Sequence, residues 1–121
     1  MLQPTAIFKI LSDDTRLRML MLLLNEPLCV CEFVGILEVP QPRISKNLAK
    51  FRDLNLVVDE RRDKFVFYEL KGDESLLMLI LKDLKQNIDK YPKLLEDLKR
   101  LEHKEEFMNQ CQIIIPTELE A

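Results

Sequence analysis

Two cysteines separated by a single residue, Cys29 and Cys31, are the side chains of this sequence best suited to chemistry. They stand where a short apolar helix is predicted to begin, and the amino-terminal end of a helix lowers the pKa of a thiol, so that more of it is thiolate. Thiolates bind soft, thiophilic ions and are also readily oxidised. The pair is therefore a candidate ion site or redox site, and two small, half-buried apolar side chains are the third interpretation.

The spacing of the pair imposes a geometric condition. Residues two apart in an ideal helix point about 200° from each other, which would keep two sulfur atoms from meeting at one ion. The first turn of this helix must then be irregular, or must unwind when an ion binds. Such a distortion would itself be a mechanism, because it would change the geometry of the helix that follows.

A second group of residues with chemical potential is basic. Between residues 41 and 64 seven basic side chains stand against four acidic ones, a net charge of +3, whereas the whole chain carries −3. A basic surface on an acidic protein is typical of a small protein that binds DNA by one side. The seven residues are Arg43, Lys46, Lys50, Arg52, Arg61, Arg62 and Lys64.

Helices and a hairpin are predicted to position these residues. Apolar residues at intervals of three and four predict helices over residues 5–11, 13–24, 29–37, 41–54 and 74–89, and a last helix after Pro92. Alternating β-branched and aromatic residues at 56–58 and 65–70, joined by a charged turn, predict a two-stranded hairpin. The wide apolar stripe of the helix over residues 74–89 predicts that a second copy of the chain covers it.

Composition excludes several classes of protein. With 121 residues, 47% of them hydrophobic, the chain can bury one core, so we expect a single domain over residues 1–110 and a tail over 111–121. We find no signal peptide, no membrane span and no cysteine pattern of a disulfide scaffold, and we expect a cytoplasmic protein with reduced thiols. No glycine-rich phosphate loop, Cys-x-x-Cys motif or histidine beside a nucleophile is present, so no enzyme is expected.

A helix–turn–helix followed by a basic hairpin describes a winged helix, and three stretches make the resemblance specific. The sequences LSDDTRLR at residues 11–18, LCVCEF at 28–33 and QPRISKNL at 41–48 resemble, in this order, the ArsR/SmtB family of metal-responsive repressors. The similarity continues through the end of the hairpin and covers roughly residues 5–90. It implies an α+β, mainly helical winged helix-turn-helix with N- and C-terminal dimerisation helices.

The resemblance further implies a homodimer that reads an inverted repeat in double-stranded operator DNA. The helix from Gln41 would enter the major groove, where base edges carry a complete code. Pro40 stands where the family often has a serine, so the usual helix cap is absent. We expect base contacts from Gln41, Arg43, Ser45 and Asn47, and phosphate contacts from Lys46, Lys50, Arg61, Arg62 and Lys64.

The thiol pair matches the position of the family's metal-box cysteines. Arsenic-type members often carry a third cysteine where this chain has Val34, so the expected third sulfur is that of Cys111, which would suit trivalent arsenic or antimony, with cadmium and lead as alternatives. No resident cofactor is required. The family's second metal site needs histidines that residues 74–91 lack, and His103, the single histidine, is predicted to be an ordinary surface residue.

The sequence therefore predicts a transcriptional repressor that leaves its operator when a soft ion binds Cys29 and Cys31. Two alternatives remain open at this point. One is a winged-helix regulator with a thiol redox or persulfide switch, or with no ligand. The other is a helical dimerisation module that does not bind DNA, which would show no salt-sensitive affinity for a duplex.

Overall fold

The computed structural model describes residues 1–107, and Cys111 with the rest of the predicted tail lies outside them. Within residues 1–107, no helix combines the length and the apolar character needed to cross a bilayer. The elements follow the predicted order, with one short strand that the sequence did not indicate. They are α1 (Pro4–Leu11), α2 (Asp14–Asn25), β1 (Leu28–Cys29), α3 (Val30–Leu37), α4 (Gln41–Asp53), β2 (Val57–Arg62), β3 (Phe65–Leu70), α5 (Ser75–Gln86), a 3-10 turn (Ile88–Lys90) and α6 (Pro92–Leu101).

The strands form one antiparallel sheet in the order β1-β3-β2. The hairpin of β2 and β3 is the predicted wing, and its tip turns at Asp63, which has a positive φ of 55°. β1 joins the other side of β3 and sets Leu28 opposite Tyr68 and Cys29 opposite Phe67. The wing is thus hydrogen-bonded to the segment that leads directly into α3.

The core surrounds α2, as its almost continuous apolar stretch predicted. Its residues Met19 to Leu23 are all buried, and Phe33 of α3 and Phe51 of α4 pack in the same cluster with no exposed surface. The apolar stripe of α5 is only partly covered: Leu77 and Leu81 are buried, whereas Leu79 is 67% exposed. The fold is α+β and mainly helical, as the sequence predicted.

The last helix, α6, is attached to α3 through the side chain of Arg100. Arg100 donates to the carbonyl oxygens of Ile36 at 2.7 Å and Gly35 at 2.6 Å. The Phe107 ring lies so close to Gly35 that a Cβ there would collide with it. The glycine is therefore needed for a close approach between α3 and the chain that follows α6.

A buried ion pair joins α6 to α2. The Arg18 guanidinium, on α2, donates to Asp97 through Nε at 2.8 Å and Nη2 at 2.9 Å, and it also reaches the Leu37 carbonyl oxygen at 3.3 Å. Arg18 is 6% exposed and Asp97 only 2%. The side-chain hydrogen bond to Asp97 raises the pKa of Arg18 despite burial. The two hydrogen bonds make the contact of the guanidinium with Asp97 bidentate.

We predict that Asp97→Ala destabilises the protein by about 3–5 kcal/mol, because it leaves the Arg18 charge buried without its partner. Urea unfolding followed by circular dichroism measures the change. The matched control is Lys93→Ala on the same helix, whose exposed pair with Glu96 spans 4.0 Å and should change stability by less than about 0.5 kcal/mol. Equal effects of the two substitutions would contradict a structural role for the buried pair.

Candidate DNA-binding surface and thiol site

The turn between α3 and α4 sets the direction of the predicted reading helix. Glu38 ends α3 in the left-handed conformation, with φ 57° and ψ 43°, and the chain then passes through Val39 and Pro40 into α4. Pro40 occupies the N-cap without a side-chain hydrogen bond, which confirms that the usual cap is absent. Pro42 is tolerated in the first turn because its missing N–H would have had no partner there.

One face of α4 is buried and the other is polar and exposed. Ile44, Leu48 and Phe51 enter the core, as their spacing predicted. The opposite face presents five of the predicted DNA contacts to solvent: Gln41, Arg43, Ser45, Lys46 and Lys50.

Asn47 is a correction to the predicted base contacts. It is only 7% exposed and faces the core side of α4 rather than solvent. Helical geometry explains the placement, because Asn47 follows Ile44 by three residues and precedes Phe51 by four, which sets all three on one face. Its polar character made it look like a contact residue, but its position in the helix is that of a buried residue.

The wing carries the remaining predicted basic residues. Arg61, Arg62 and Lys64 are all exposed at or near the hairpin tip. Arg62 is held against the hairpin, since its Cζ lies 4.9 Å from the centre of the Phe67 ring and its Nη2 is 3.7 Å from Glu60 Oε2. The wing therefore presents a positive surface in which at least one guanidinium is oriented by the protein.

An ion pair connects the wing to the polar helix. Arg52, at the end of α4, places Nη1 3.3 Å from Asp59 Oδ2 on β2. Both side chains are substantially exposed, so the pair adds little stability. It does join the two elements that carry the basic residues, and it accounts for an arginine in the basic segment that is not a predicted DNA contact.

The two cysteines sit at the junction of sheet and helix. Cys29 belongs to β1 and is the N-cap of α3, with extended φ −97° and ψ 168°, while Cys31 lies in the first helical turn. Only Cys31 therefore lies within the helix, so the opposed directions of residues two apart in a helix do not apply to this pair, and the predicted irregular or unwinding first turn stays a prediction. Cys29 is buried and Cys31 half-buried, and both belong to one small cluster with Phe65 and Phe67.

The chemical state of the thiols differs from the expectation. The sequence predicts lowered thiol pKa values, but burial and the neighbouring Glu32 carboxylate raise the pKa of Cys29 from 9.0 to about 11. Desolvation of the thiolate outweighs the helix terminus here. The sequence also predicts reduced thiols, whereas Cys31 is disulfide-bonded in this structure and Cys29 is free.

Glu32 is a site residue that the sequence did not indicate. It has no exposed surface, and its Oε1 accepts a hydrogen bond from the Cys29 N–H at 3.0 Å. Its Oε2 is buried and has no hydrogen-bond partner among the described residues, and burial raises the pKa of this carboxyl. The spacing Cys-x-x-Glu is the signal that could have found it, because a glutamate three residues after an N-cap reaches back to the cap N–H.

The donor atoms near Cys29 fit a soft ion in type but not in number. Sulfur ligands select thiophilic ions, and a buried sulfur requires loss of its proton before it can bind one. No group of three or more His, Cys, Asp or Glu residues within residues 1–107 is arranged to hold a metal. Cys111, the predicted third ligand, lies outside that range. The second family site is not supported either, since α5 contains no histidine, and the side chain of His103 is 64% exposed.

The architecture and the placement of basic residues define a winged-helix DNA-binding protein. Residues 13–58 match the family described as bacterial regulatory protein, arsR family. An arsenic resistance transcriptional regulator of Pseudomonas putida is 46% identical over 70 residues, which are 57% of this chain and 55% of that protein. An uncharacterised HTH-type transcriptional regulator of Methanocaldococcus jannaschii is 35% identical over 78 residues, 64% of this chain and 88% of that protein.

A solved structure shows the same winged-helix fold. Reduced HlyU of Vibrio cholerae superposes with a TM-score of 0.61 at 29% identity, over 68% of this chain and 85% of HlyU.

The chain belongs to the ArsR family, whose members are transcriptional regulators rather than enzymes, as predicted. Its matches to three arsenic resistance regulators span 55% to 64% of the lengths of those proteins. A cadmium resistance regulator of Listeria innocua is more distant, at 32% identity over 78 residues, 64% of this chain and 66% of that protein.

We predict that Cys29 of the reduced, folded protein resists alkylation by iodoacetamide at pH 8. With a pKa of about 11 in place of 9.0, its thiolate fraction is about 100-fold lower than that of an ordinary thiol. The measurement is the alkylation rate of the Cys31→Ser, Cys111→Ser variant, native and in urea, by mass spectrometry. Similar rates in the two states would show that the sulfur is neither buried nor shifted in pKa.

Proposed function

We propose that the chain is a repressor that binds operator DNA through α4 and the wing. The observation that carries this proposal is the joint surface of exposed α4 residues and wing arginines, on elements connected by Arg52 and Asp59. A helix of this kind fits the major groove, and its amino-terminal residues approach the bases most closely. Gln41, Arg43 and Ser45 are the proposed base contacts, and Lys46, Lys50, Arg61, Arg62 and Lys64 the phosphate contacts.

We propose a homodimer as the DNA-binding unit. α1 and α5 pack beside each other, and each leaves a large apolar side chain in solvent: Phe8 is 55% and Leu79 67% exposed. Exposed apolar surface of this kind is typical of protein interfaces. A symmetric dimer through this face would present two copies of α4, which is the arrangement an inverted repeat requires.

We predict distinct effects from two classes of substitution. Lys46→Ala or Lys50→Ala should weaken binding to all duplexes alike and reduce the salt dependence by about one ion, because each removes a phosphate contact. Gln41→Ala should instead reduce discrimination at one base pair, by about 1–3 kcal/mol. Fluorescence anisotropy with an operator selected from random duplexes, and with its single-base variants, measures both.

Two controls complete this test. Lys93→Ala removes an exposed charge on α6 and should leave DNA binding unchanged. Asn47→Ala should lower the free energy of unfolding rather than change base preference, since Asn47 is buried. The division into base and phosphate contacts fails if Gln41→Ala and Lys46→Ala change specificity and salt dependence equally.

We propose further that a soft ion bound by Cys29 and Cys31 releases the repressor from DNA. The relatives named for arsenic resistance support a trivalent metalloid, and the one named for cadmium resistance supports cadmium as the alternative. Cys111 is the proposed third donor. The positive ion would neutralise the negative charge of the buried thiolates. It would also draw the sulfur of Cys29, on β1, and the sulfur of Cys31, on α3, to one point.

A second candidate, a thiol redox switch, is favoured by one observation, the disulfide at Cys31. Two thiols that form a disulfide give up two protons and two electrons to an oxidant such as a peroxide or a low-molecular-weight disulfide. The two candidates exclude each other in any one molecule, because a disulfide sulfur offers no thiolate to an ion.

We predict that reduced protein binds one arsenite or one Cd²⁺ per subunit and loses DNA affinity by about 5–150-fold, the usual range for coupled sites. The thiolate-to-ion absorbance gives the number of ions bound per subunit, and fluorescence anisotropy gives the affinity for DNA. Cys29→Ser and Cys31→Ser should abolish both effects, and Cys111→Ser should weaken ion binding. If peroxide alone releases DNA and neither ion does, the redox function replaces the ion function.

A further inference from the structure

The carboxyl end of α3 is closed by side chains from other helices. The last four carbonyl groups of any helix have no partner inside it. The Glu38 N–H, which follows α3, serves one of them at 2.9 Å, but Pro40 has no N–H to offer. The structure instead pairs three of these carbonyl groups with arginine side chains. They belong to Gly35, Ile36 and Leu37.

Arg100, on α6, contacts both the last turn of α3 and the residue that ends it. Its Nε donates to the Ile36 carbonyl oxygen at 2.7 Å, and its Nη2 donates to that of Gly35 at 2.6 Å. The same Nη2 lies 3.9 Å from Glu38 Oε1. Glu38 has the left-handed backbone conformation that turns the chain toward α4. An arginine suits this position because its planar fork carries several donors in fixed directions.

An aromatic ring covers this guanidinium. Arg100 Cζ lies 5.4 Å from the centre of the Phe107 ring, which is a cation–π distance. The ring can lie there because Gly35 has no Cβ to collide with it. The Arg100 side chain is only 32% exposed, and hydrogen bonds shielded from water are stronger than those in water. The chain from α6 to Phe107 is therefore closely fitted to the end of α3.

The amino-terminal end of α4 depends on the adjoining turn for its position. Three residues, 38–40, separate α4 from α3. The first three residues of α4, from Gln41 to Arg43, are all exposed, and its core contacts begin at Ile44. Gln41 and Arg43 are proposed base contacts, and a displacement of about 1 Å is enough to break a hydrogen bond. The direction of the turn therefore decides whether these side chains reach the bases.

We infer that Arg100 is a positioning residue of the DNA-binding surface, because it holds the turn between α3 and α4 and so fixes the direction of α4. It lies outside residues 13–58, the part of the chain that matches the family, yet it closes the first helix of the helix-turn-helix. The inference rests on the proposed DNA binding by α4. It adds a residue that acts through the turn rather than by contact with DNA.

The test compares substitutions on α6 in the reduced, full-length protein, at a temperature where circular dichroism shows each variant folded. Arg100→Met removes every donor and keeps a long stem, whereas Arg100→Lys keeps the charge without the planar fork. Lys99→Met, at an exposed position, controls for the lost charge. Leu94→Ala, at a buried position, controls for lost stability. Fluorescence anisotropy measures affinity for an operator selected with the wild type and for a scrambled duplex.

A positioning role predicts a loss of discrimination between the two duplexes. Arg100→Met should bind the operator about tenfold more weakly, the size of one lost base contact. Its affinity for the scrambled duplex should stay within about twofold of that of Lys99→Met, since non-specific binding depends on phosphate contacts. Arg100→Lys should be intermediate, and it carries the comparison if Arg100→Met does not fold. Lys99→Met and Leu94→Ala should keep the wild-type ratio of the two affinities.

The outcomes that overturn the inference differ from those that overturn the proposed function. A wild-type ratio in both Arg100 variants overturns the inference alone, and so does an equal loss of discrimination in Leu94→Ala. A wild-type protein that binds no duplex overturns the DNA-binding function on which the inference rests.

A second measurement does not depend on DNA. In ¹H–¹⁵N spectra, the backbone amide resonances of Gln41, Arg43 and Ile44, in the first turn of α4, should shift in Arg100→Met. They should remain unchanged in Lys99→Met. Shifts confined to α3 and α6 would show that Arg100 caps α3 without holding α4, and the inference would be wrong.

Discussion

The anchoring of α3 at both of its ends is the constraint on which the rest of this structure depends. At its carboxyl end, three successive carbonyl groups accept hydrogen bonds from arginines, those of Gly35 and Ile36 from Arg100 and that of Leu37 from Arg18. Positive charge at this end also complements the helix dipole. At its amino end, the chain enters α3 directly from β1, which is paired to the wing. The helix is therefore a fixed strut between the C-terminal helix and the sheet.

This strut explains how a thiol site and a DNA-binding helix are related. The turn that follows α3 sets the direction of α4, and the residue that ends α3, Glu38, adopts a left-handed conformation that permits a sharp change of direction. Because the carboxyl end of α3 is held by charged hydrogen bonds, a change at the amino end is not easily absorbed there.

Much of the fold could be predicted because its periodicities are local. Helices α1 to α5 and the hairpin follow from apolar spacing within each segment, and their observed bounds differ from the predicted ones by only a few residues at each end. The contacts that could not be predicted join distant parts of the chain, such as Arg18 with Asp97 and Cys29 with Phe67. The raised pKa of Cys29 depends on such contacts, since burial outweighs the helix terminus. Asn47 is different, because its place on the buried face of α4 could be predicted from the helical spacing. Its polar side chain nevertheless led to the prediction of a base contact.

The uneven distribution of charge along the chain has an effect beyond any single contact. Residues 41–64 carry a net charge of +3 and the rest of the chain −6, so the segment that contains α4 and the wing attracts a polyanion and the remainder of the chain repels one. An approach that brings the wing and α4 forward is the one that the electric field favours. The acidic residues outside this segment also weaken non-specific DNA binding, because non-specific binding depends mainly on contacts to phosphate. A regulator with a net negative charge would gain selectivity from weak non-specific DNA binding as well as from base contacts. Its selectivity would therefore depend on the ionic strength of the solution.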